Sequence, residues 1–192
     1  MEDKKTQHAA WKKRWRRENP EKARRHRDLV LVEKRLLKSG VCTDCGQNRP
    51  PCAMEWDHVS GEKAFKISYP ISSSERIEAE IAKCELVCVL CHRDRTHRRY
   101  VRSNSRTAKA RRTLHKKVAA LKAGPCVKCG QSYAPWQMDF DHIDPSEKSE
   151  KICNMVRRRA SWAAIEAEIG KCRLLCALCH RLHTEEQARA LG

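Results

Sequence analysis

The sequence predicts an α+β protein built from two small repeated modules rather than from one large core. The chain has 192 residues, of which only 5% are aromatic and 34% are charged, and this composition does not supply one large aromatic-rich core. Its formal net charge of +17 is concentrated in two segments. A pattern of cysteines, Asp-His pairs and Cys-His pairs also occurs twice along the chain, which indicates a duplicated structural unit.

Basic side chains precede each of the two modules. Residues 1–40 carry a net charge of +8 and residues 93–123 carry +11, whereas 41–92 and 124–192 carry −3 and +1. Charge at this density repels itself unless a polyanion lies nearby, which favours a nucleic acid, and DNA first, as the partner. A solubilising charged helix and a basic amphipathic helix on a membrane surface are the alternatives.

Hydropathy and cysteine usage bear on the compartment. The sequence has no run of about 18 apolar residues, and its polar, basic N-terminus lacks the apolar stretch of a secretory signal. We therefore expect no membrane partner and a cytoplasmic, reducing location. In such a compartment the twelve cysteines are more often metal ligands than disulfides.

The duplication extends over most of both modules. Cys-x-x-Cys-Gly-Gln opens each copy, at 42–47 and 126–131, and an Asp-His pair follows the first cysteine by fifteen positions. The pentapeptide Ile-Glu-Ala-Glu-Ile occurs unchanged in both copies. Each copy closes with Lys-Cys-x-Leu-x-Cys-x-Leu-Cys-His-Arg, at 83–93 and 171–181. The sequence is therefore a tandem duplication of one module.

Helices are expected outside the modules. Residues 8–19 suit a helix that a proline ends, and residues 30–37 suit a second helix that a glycine stops. Residues 106–123 suit a third, because leucine and valine recur at i, i+4 and i+7 before another glycine stop.

Each module is expected to contain a turn, a strand and two helices, in that order. Cys-x-x-Cys-Gly-Gln forms a tight turn, and residues 54–59 and 138–143 alternate apolar with acidic side chains, as short strands do. Ser74 and Ser161 are the expected N-caps of helices that run through the Ile-Glu-Ala-Glu-Ile repeat. The last cysteine of each copy then opens a helix that carries the Cys-His-Arg sequence.

Two Cys-x-x-Cys pairs in each module predict a structural zinc site. Four thiolates in two close pairs suit tetrahedral zinc. A module of about 60 residues with few large apolar side chains needs a bound metal ion of this kind for a stable fold. The predicted ligands are Cys42, Cys45, Cys88 and Cys91 in the first module, and Cys126, Cys129, Cys176 and Cys179 in the second. The remaining cysteines, expected as small buried hydrophobic residues with a ligand role as the alternative, are Cys52, Cys84, Cys153 and Cys172.

Zinc binding leaves the Asp-His pairs and the histidine after the last cysteine unexplained. An Asp-His pair that closes a strand, together with a histidine that opens a helix, can bind hydrated Mg²⁺ or Mn²⁺. The strand histidine then stays free to act as a base; otherwise the histidines only cap or orient the zinc fold. The predicted metal ligands are Asp57 with His92 and Asp141 with His180, and the predicted bases are His58 and His142.

These residues together resemble the HNH endonucleases, the ββα-metal nucleases, and especially their small zinc-stabilised kind from phages and bacteria. The resemblance rests on Cys-x-x-Cys-Gly, Met-x-aromatic-Asp-His, a following Glu-Lys, and the closing Cys-x-x-Cys-His-Arg-x-x-Thr. It covers residues 35–100 and 119–187. Relatives often have Asn before the last cysteine, where this chain has Leu90 and Leu178, and the middle Asn of the family name has no counterpart in either copy.

The resemblance implies a treble-clef-like ββα-metal module and hydrolysis of DNA phosphodiester bonds that leaves 5′-phosphate and 3′-hydroxyl ends. It implies the metal ligands and bases named above, and hence a one-metal mechanism with a histidine base. Basic residues near these ligands are weaker candidates for phosphate binding, with an ordinary exposed role as the alternative: Arg93, Arg181, Lys63 and Lys148.

The expected organisation is a basic helical DNA-binding arm (1–34), a first HNH-like zinc module (35–100), a basic helical linker (101–118) and a second module (119–192). Each module is expected to nick one strand, so that two in one chain make a double-strand cut. The main alternative is a non-catalytic zinc-dependent DNA-binding regulator built on degenerate HNH modules. An RNA-binding or RNA-cleaving protein is the third.

Overall fold

The chain folds as a mixed α+β protein with short strands, as the repeat and the composition predict. The computed structural model describes residues 4–23, 37–65, 67, 74–102 and 109–190. The helices are α1 (Lys4–Glu18), α2 (Ser74–Ile81), α3 (Val89–Arg102), α4 (Lys109–Ala120), α5 (Ile152–Arg157), α6 (Trp162–Ile169) and α7 (Ala177–Ala190). The strands are β1 (Met54–His58), β2 (Cys84–Cys88), β3 (Met138–His142) and β4 (Cys172–Cys176).

The residues cluster into two compact units. The first unit consists of Met1–Gly40 and Trp56–Leu86, and the second consists of Val41–Glu55 and Val87–Gly192. The second unit therefore contains all eight cysteines of the predicted zinc sites, together with the whole second repeat. The boundaries 1–34, 35–100, 101–118 and 119–192 remain a prediction.

Each repeat contains a two-stranded sheet. Strand β1 pairs with β2, and β3 pairs with β4. In the second repeat the pairing is antiparallel, with Met138 opposite Cys176 and His142 opposite Cys172. The predicted strands at 54–59 and 138–143 are confirmed, each one residue shorter. The partner strands were not expected, because a five-residue segment that begins and ends with cysteine is too short for an alternating pattern to stand out.

The Cys-x-x-Cys-Gly-Gln segments are tight turns, as expected. In the second repeat, the N–H of Gly130 donates to the carbonyl of Cys126 at 2.8 Å, and the N–H of Cys126 donates to the carbonyl of Gln131 at 2.9 Å. Gly130 adopts a φ of 72°, a left-handed conformation that a residue with a side chain rarely takes. The turn therefore aims both cysteines of the pair toward the same point.

The helices around the repeats agree with the expectation where the structure describes them. Helix α1 begins four residues before the predicted 8–19 helix, and α4 lies within the predicted 106–123 helix. Ser161 caps α6 by accepting from the N–H of Ala164 at 3.3 Å. The helix expected at 30–37 falls outside the described residues, except for residue 37, and so does the side chain of Ser74.

Two clusters of apolar side chains hold the second repeat together. The first surrounds Met138 and includes Cys126, Cys176 and Cys179, so three of the four predicted zinc ligands of this repeat are part of the core. The second joins α4, α5 and α6 through Val118, Val156 and Ile165. Strand β3 contacts both clusters, since Met138 packs in the first and Phe140, two positions along on the same face of the strand, packs against the second.

The four cysteines outside the Cys-x-x-Cys pairs are less buried than expected. Cys153 is exposed, and Cys52, Cys84 and Cys172 are only partly buried. The expectation of small buried hydrophobic residues was therefore wrong for Cys153. It lies on the short helix α5, whose buried residues are Met155 and Val156. Within the part of the chain that the structure describes, no helix is both long and apolar enough for a membrane span.

Candidate metal centres

Two groups of four cysteines could each hold a metal ion, and they contain the eight predicted zinc ligands. Within each group the four sulfur atoms lie within 4.8 Å of one another. Tetrahedral zinc with Zn–S bonds of about 2.3 Å separates its sulfurs by about 3.8 Å. The structure has Cys45 Sγ 3.9 Å from Cys88 Sγ and Cys129 Sγ 4.0 Å from Cys176 Sγ. The donor type, number and spacing therefore fit zinc.

Backbone donors stabilise one thiolate in each group. Burial alone raises the pKa of Cys126, but the N–H groups of Cys176, Cys129 and Lys128 lower it to about 6. In the same way, the pKa of Cys42 is lowered to about 7. Because a metal ligand must be deprotonated, these N–H groups favour metal binding.

The second repeat also brings Asp141 and His180 together, as the sequence predicts. His180 follows the last zinc ligand at the start of α7, and its Nε2 lies 3.5 Å from Asp141 Oδ1 on β3. The other ring nitrogen, Nδ1, is 2.9 Å from Asp139 Oδ2. In the tautomer that has its proton on Nδ1, Asp139 accepts that proton and the lone pair of Nε2 faces Asp141. One oxygen and one nitrogen donor therefore converge on one point.

The guanidinium of Arg173 lies beside these two donors. Arg173 on β4, which lies opposite Asp141 in the sheet, donates from Nε to Asp141 Oδ2 at 2.9 Å. Its Nη2 lies 2.7 Å from His183 Nε2, and His183 Nε2 lies 3.9 Å from Asp141 Oδ2. The oxygen and nitrogen donors suit a divalent cation, but here a fixed positive charge already satisfies one carboxylate oxygen.

In the first repeat the equivalent residues belong to different compact units. Asp57 lies on β1 in the first unit and is 2% exposed. His92 lies on α3 in the second unit, where its Nδ1 bonds with Glu55 Oε2. The contact of His180 with Asp139 therefore has a counterpart in the first repeat.

No family model, curated protein or solved structure matches this chain.

The two predicted bases each bond with a buried glutamate that sequence reasoning missed. His142 Nε2 is 2.8 Å from Glu168 Oε1, and His58 Nε2 is 2.8 Å from Glu80 Oε1. Glu168 is 3% exposed and Glu80 is 2% exposed. The signal was present, because both are the second glutamate of Ile-Glu-Ala-Glu-Ile, on the face that also carries the buried Ile165.

The same glutamates hold the loop that follows each strand. Glu168 Oε1 accepts from the backbone N–H groups of Ser149 and Glu150 at 2.8 and 3.3 Å. Lys171 Nζ donates both to Glu168 Oε2 at 2.7 Å and to the Glu147 carbonyl at 3.1 Å. The hydrogen bond from Lys171 is the largest influence on Glu168, and its pKa is held well below the usual range although burial opposes this. The carboxylate is therefore ionised in the folded protein.

Of the four candidate phosphate-binding residues, the two arginines pair with carboxylates and the two lysines lie in loops. Arg93 donates from Nη1 and Nη2 to Asp139 at 2.9 and 2.7 Å, and Arg181 donates to Glu55. Lys63 and Lys148 belong to the loops that the buried glutamates hold, near Cys84 and Cys172. Phosphate binding by these four residues stays a prediction.

Proposed function

We propose that this chain is a metal-dependent DNA endonuclease whose two repeats are HNH-like zinc modules of the ββα-metal, treble-clef-like kind. The observation that carries the proposal is the pair formed by His180 Nε2 and Asp141 Oδ1 at 3.5 Å, beside a strand histidine held by a buried glutamate. The four-cysteine group ends one residue before His180, so the fold that zinc would stabilise also positions this pair.

His142 is suited to act as the general base of the second repeat. Because the ionised Glu168 carboxylate accepts from Nε2–H, the neutral imidazole carries its lone pair on Nδ1. A positioned imidazole of this kind takes a proton from water near neutral pH. His58 and Glu80 have the same relation in the first repeat, so the proposal assigns a base to each repeat.

A divalent cation, Mg²⁺ or Mn²⁺, would be held by Asp141 with His180 in the second repeat. When bound, such an ion polarises the phosphate and stabilises the leaving 3′ oxygen. The protein's own part is to fix the donors. Asp139 orients the ring of His180 through Nδ1, an arrangement that also raises the basicity of a metal-ligating histidine.

The buried glutamates offer a physical answer to the missing Asn of the HNH pattern. The resemblance implies that the Asn holds the loop that carries the base. Here Glu168 bonds with the base and with two N–H groups of the loop at once. We propose that Glu80 and Glu168 take over this tethering role.

The basic segments supply affinity for DNA. Helix α1 has no acidic residue in its first turn and has Arg16 and Arg17 in its last turn. Residues 93–123, with a net charge of +11, join the two repeats. Neutralising phosphates with such residues releases counterions and makes binding strongly dependent on salt.

A non-catalytic DNA-binding regulator is the second candidate, and one contact favours it. Arg173 donates to the same carboxylate that would ligate the metal, so the second repeat holds a permanent cation at Asp141. A repeat that had lost its chemistry would retain this ion pair for stability. An RNA-binding or RNA-cleaving protein is the third candidate, because charge does not distinguish RNA from DNA.

The test is cleavage of supercoiled plasmid by the zinc-loaded chain with Mg²⁺, with Mn²⁺ or with chelator. We expect metal-dependent nicking that is lost in the His58→Ala/His142→Ala double variant and retained in His115→Ala, a change of an exposed histidine on α4. The single variants His58→Ala and His142→Ala should each still nick the plasmid but should no longer produce its linear form. If the chain binds the plasmid but does not nick it when metal is present, the regulator is correct and the endonuclease is wrong. If the chain cleaves RNA but not plasmid, its substrate is RNA.

A further inference from the structure

The arginine after each helix histidine pairs with a carboxylate of the other repeat. Arg93, on α3 of the first repeat, forms a bidentate pair with Asp139 on β3 of the second. Arg181, on α7 of the second repeat, pairs with Glu55 on β1 of the first. All four residues belong to the second compact unit. The two pairs are reciprocal, as in an isologous interface between identical subunits.

Each of these carboxylates also holds a helix histidine. Asp139 Oδ2 lies 2.7 Å from Arg93 Nη2 and 2.9 Å from His180 Nδ1. Glu55 bonds with Arg181 through Oε1 and with His92 through Oε2. One repeat therefore supplies the histidine and the carboxylate, and the other repeat supplies the guanidinium that fixes the carboxylate.

Further contacts make α3 fit the second repeat. The indole Nε1 of Trp136 donates to Asp94 Oδ1 at 2.5 Å, and the Trp136 ring stacks on His97 with centroids 3.7 Å apart. Gln137 Nε2 donates to the carbonyl of Leu90 at 3.3 Å. Both Trp136 and Gln137 lie in the short 3₁₀ turn that leads into β3. The ion pairs are thus part of a broader polar contact.

We propose that Arg93 and Arg181 are positioning residues that act across the repeats: each holds the carboxylate that orients the helix histidine of the other repeat. A bidentate arginine fixes the plane of a carboxylate, and the carboxylate fixes the ring and the tautomer of the histidine through Nδ1. The two sites are then oriented jointly, and neither repeat completes its own site. The consequence for cleavage rests on the proposed function, whereas the consequence for the histidine rings does not.

The test reads the imidazole ¹⁵N signals of His92 and His180 in the zinc-loaded full chain. Arg93→Ala should alter the signals and the Nδ1–H tautomer of His180, and Arg181→Ala should do the same to His92. Arg95→Ala is the matched control, because Arg95 also lies on α3 but pairs with Asp44 of its own repeat, Nη2 to Oδ1 at 2.5 Å. It should leave His180 unchanged.

A charge exchange separates positioning from mere stability. Arg93→Asp/Asp139→Arg restores an ion pair between the repeats but leaves His180 Nδ1 facing a side chain that has no acceptor. We expect the thermal stability lost in Arg93→Ala to return while the His180 tautomer remains altered. Cleavage by the second repeat should stay reduced by roughly 10–100-fold, the usual loss when a partner of a metal-ligating histidine is removed.

The outcomes separate the two proposals. If the wild-type chain cleaves nothing but the crossed pattern of ¹⁵N changes is present, the endonuclease fails and the cross-repeat positioning stands. If Arg93→Ala changes only the adjacent His92 and leaves His180 as it was, the positioning is refuted whatever the cleavage assay gives. Recovery of the His180 tautomer in the charge exchange would also refute it.

Discussion

Replacing Glu168 with alanine removes a buried carboxylate that bonds four groups at once. Its Oε1 accepts from His142 Nε2 at 2.8 Å and from the N–H groups of Ser149 and Glu150, and its Oε2 accepts from Lys171 Nζ at 2.7 Å. The variant therefore leaves one cation and two loop N–H groups without this partner. Breaking a buried charged pair by removing one member costs about 3–5 kcal/mol.

That loss is large enough to measure by thermal unfolding at saturating zinc. For a protein of this size each kcal/mol lowers Tm by about 2–4 °C, so we expect Glu168→Ala to unfold about 6–20 °C lower. Glu168→Gln keeps the oxygen that faces His142 but turns a donor toward Lys171, which costs about 1.5–3 kcal/mol. The matched control is Glu166→Ala, an exposed position on the same helix, where we expect a change within about 0.5 kcal/mol.

Hydrogen exchange at two amides shows whether the loss is local. In Glu168→Ala, the Ser149 and Glu150 amides should exchange much faster than in Glu166→Ala, because they lose their acceptor. If Glu168→Ala melted with Glu166→Ala and both amides stayed protected, Glu168 would not tether the loop, and its proposed role in place of the missing Asn would be wrong.

The equivalent glutamate of the first repeat predicts how this stabilisation depends on pH. Hydrogen bonds from Lys83 and then His58 lower the pKa of Glu80 from 4.5 to about 2, although burial opposes them. A lowered pKa in the fold stabilises the protein fully above the unfolded value and loses that effect as pH falls toward the folded value. The deficit of Glu80→Gln should therefore be constant from about pH 8 to 5 and shrink only below about 4.5. A deficit that shrinks between pH 7 and 5 would contradict this.

Three further predictions concern metal and DNA. The chain should carry two zinc ions by elemental analysis, Cys176→Ser one and the exposed-site control Cys153→Ser two, with chelator lowering helicity because structural zinc stabilises such modules strongly. Arg173→Ala should tighten Mn²⁺ binding to the second repeat by roughly tenfold, since it removes a positive charge from Asp141; unchanged affinity would show that Asp141 is not a ligand. The logarithm of the plasmid binding constant should fall with the logarithm of the salt concentration at a slope of about −5 to −7 if 6–8 phosphates are neutralised. A slope near zero would show that the basic segments do not bind DNA.

The zinc ligands could be predicted from the sequence because their chemistry is local. A Cys-x-x-Cys pair with a following glycine forms its turn without help from the rest of the chain, as the 2.8 Å bond from Gly130 N–H to Cys126 shows. Tertiary structure is needed only to bring the two Cys-x-x-Cys pairs of a repeat together. Because the same two pairs occur in both repeats, few other pairings of the cysteines are plausible. The eight cysteines accordingly form the two groups.

The partners of the histidines could not be predicted in the same way. Glu80 and Glu168 lie in a helix more than twenty positions from the histidines they bond, and glutamate is ordinarily exposed. Glu55 and Asp139 look like the polar half of a strand's alternation, yet they bond with residues of both repeats. Such pairings depend on how helices pack on the strands, which local spacing does not encode.

The two repeats have kept the same scaffold and diverged in charge beside it. Around the Asp-His position the second repeat has Lys128, Arg173 and His183, which line one hollow, where the first has Asp44, Glu85 and Arg95. A basic hollow attracts phosphate and weakens a neighbouring cation site, whereas acidic side chains do the reverse. The scaffold residues, by contrast, are matched: four cysteines, a histidine held by a buried glutamate, and an arginine that reaches the other repeat. Under the proposed function, the added positive charge of the second repeat would favour the DNA backbone there and weaken a cation at Asp141, and the Mn²⁺ affinity of Arg173→Ala measures this effect.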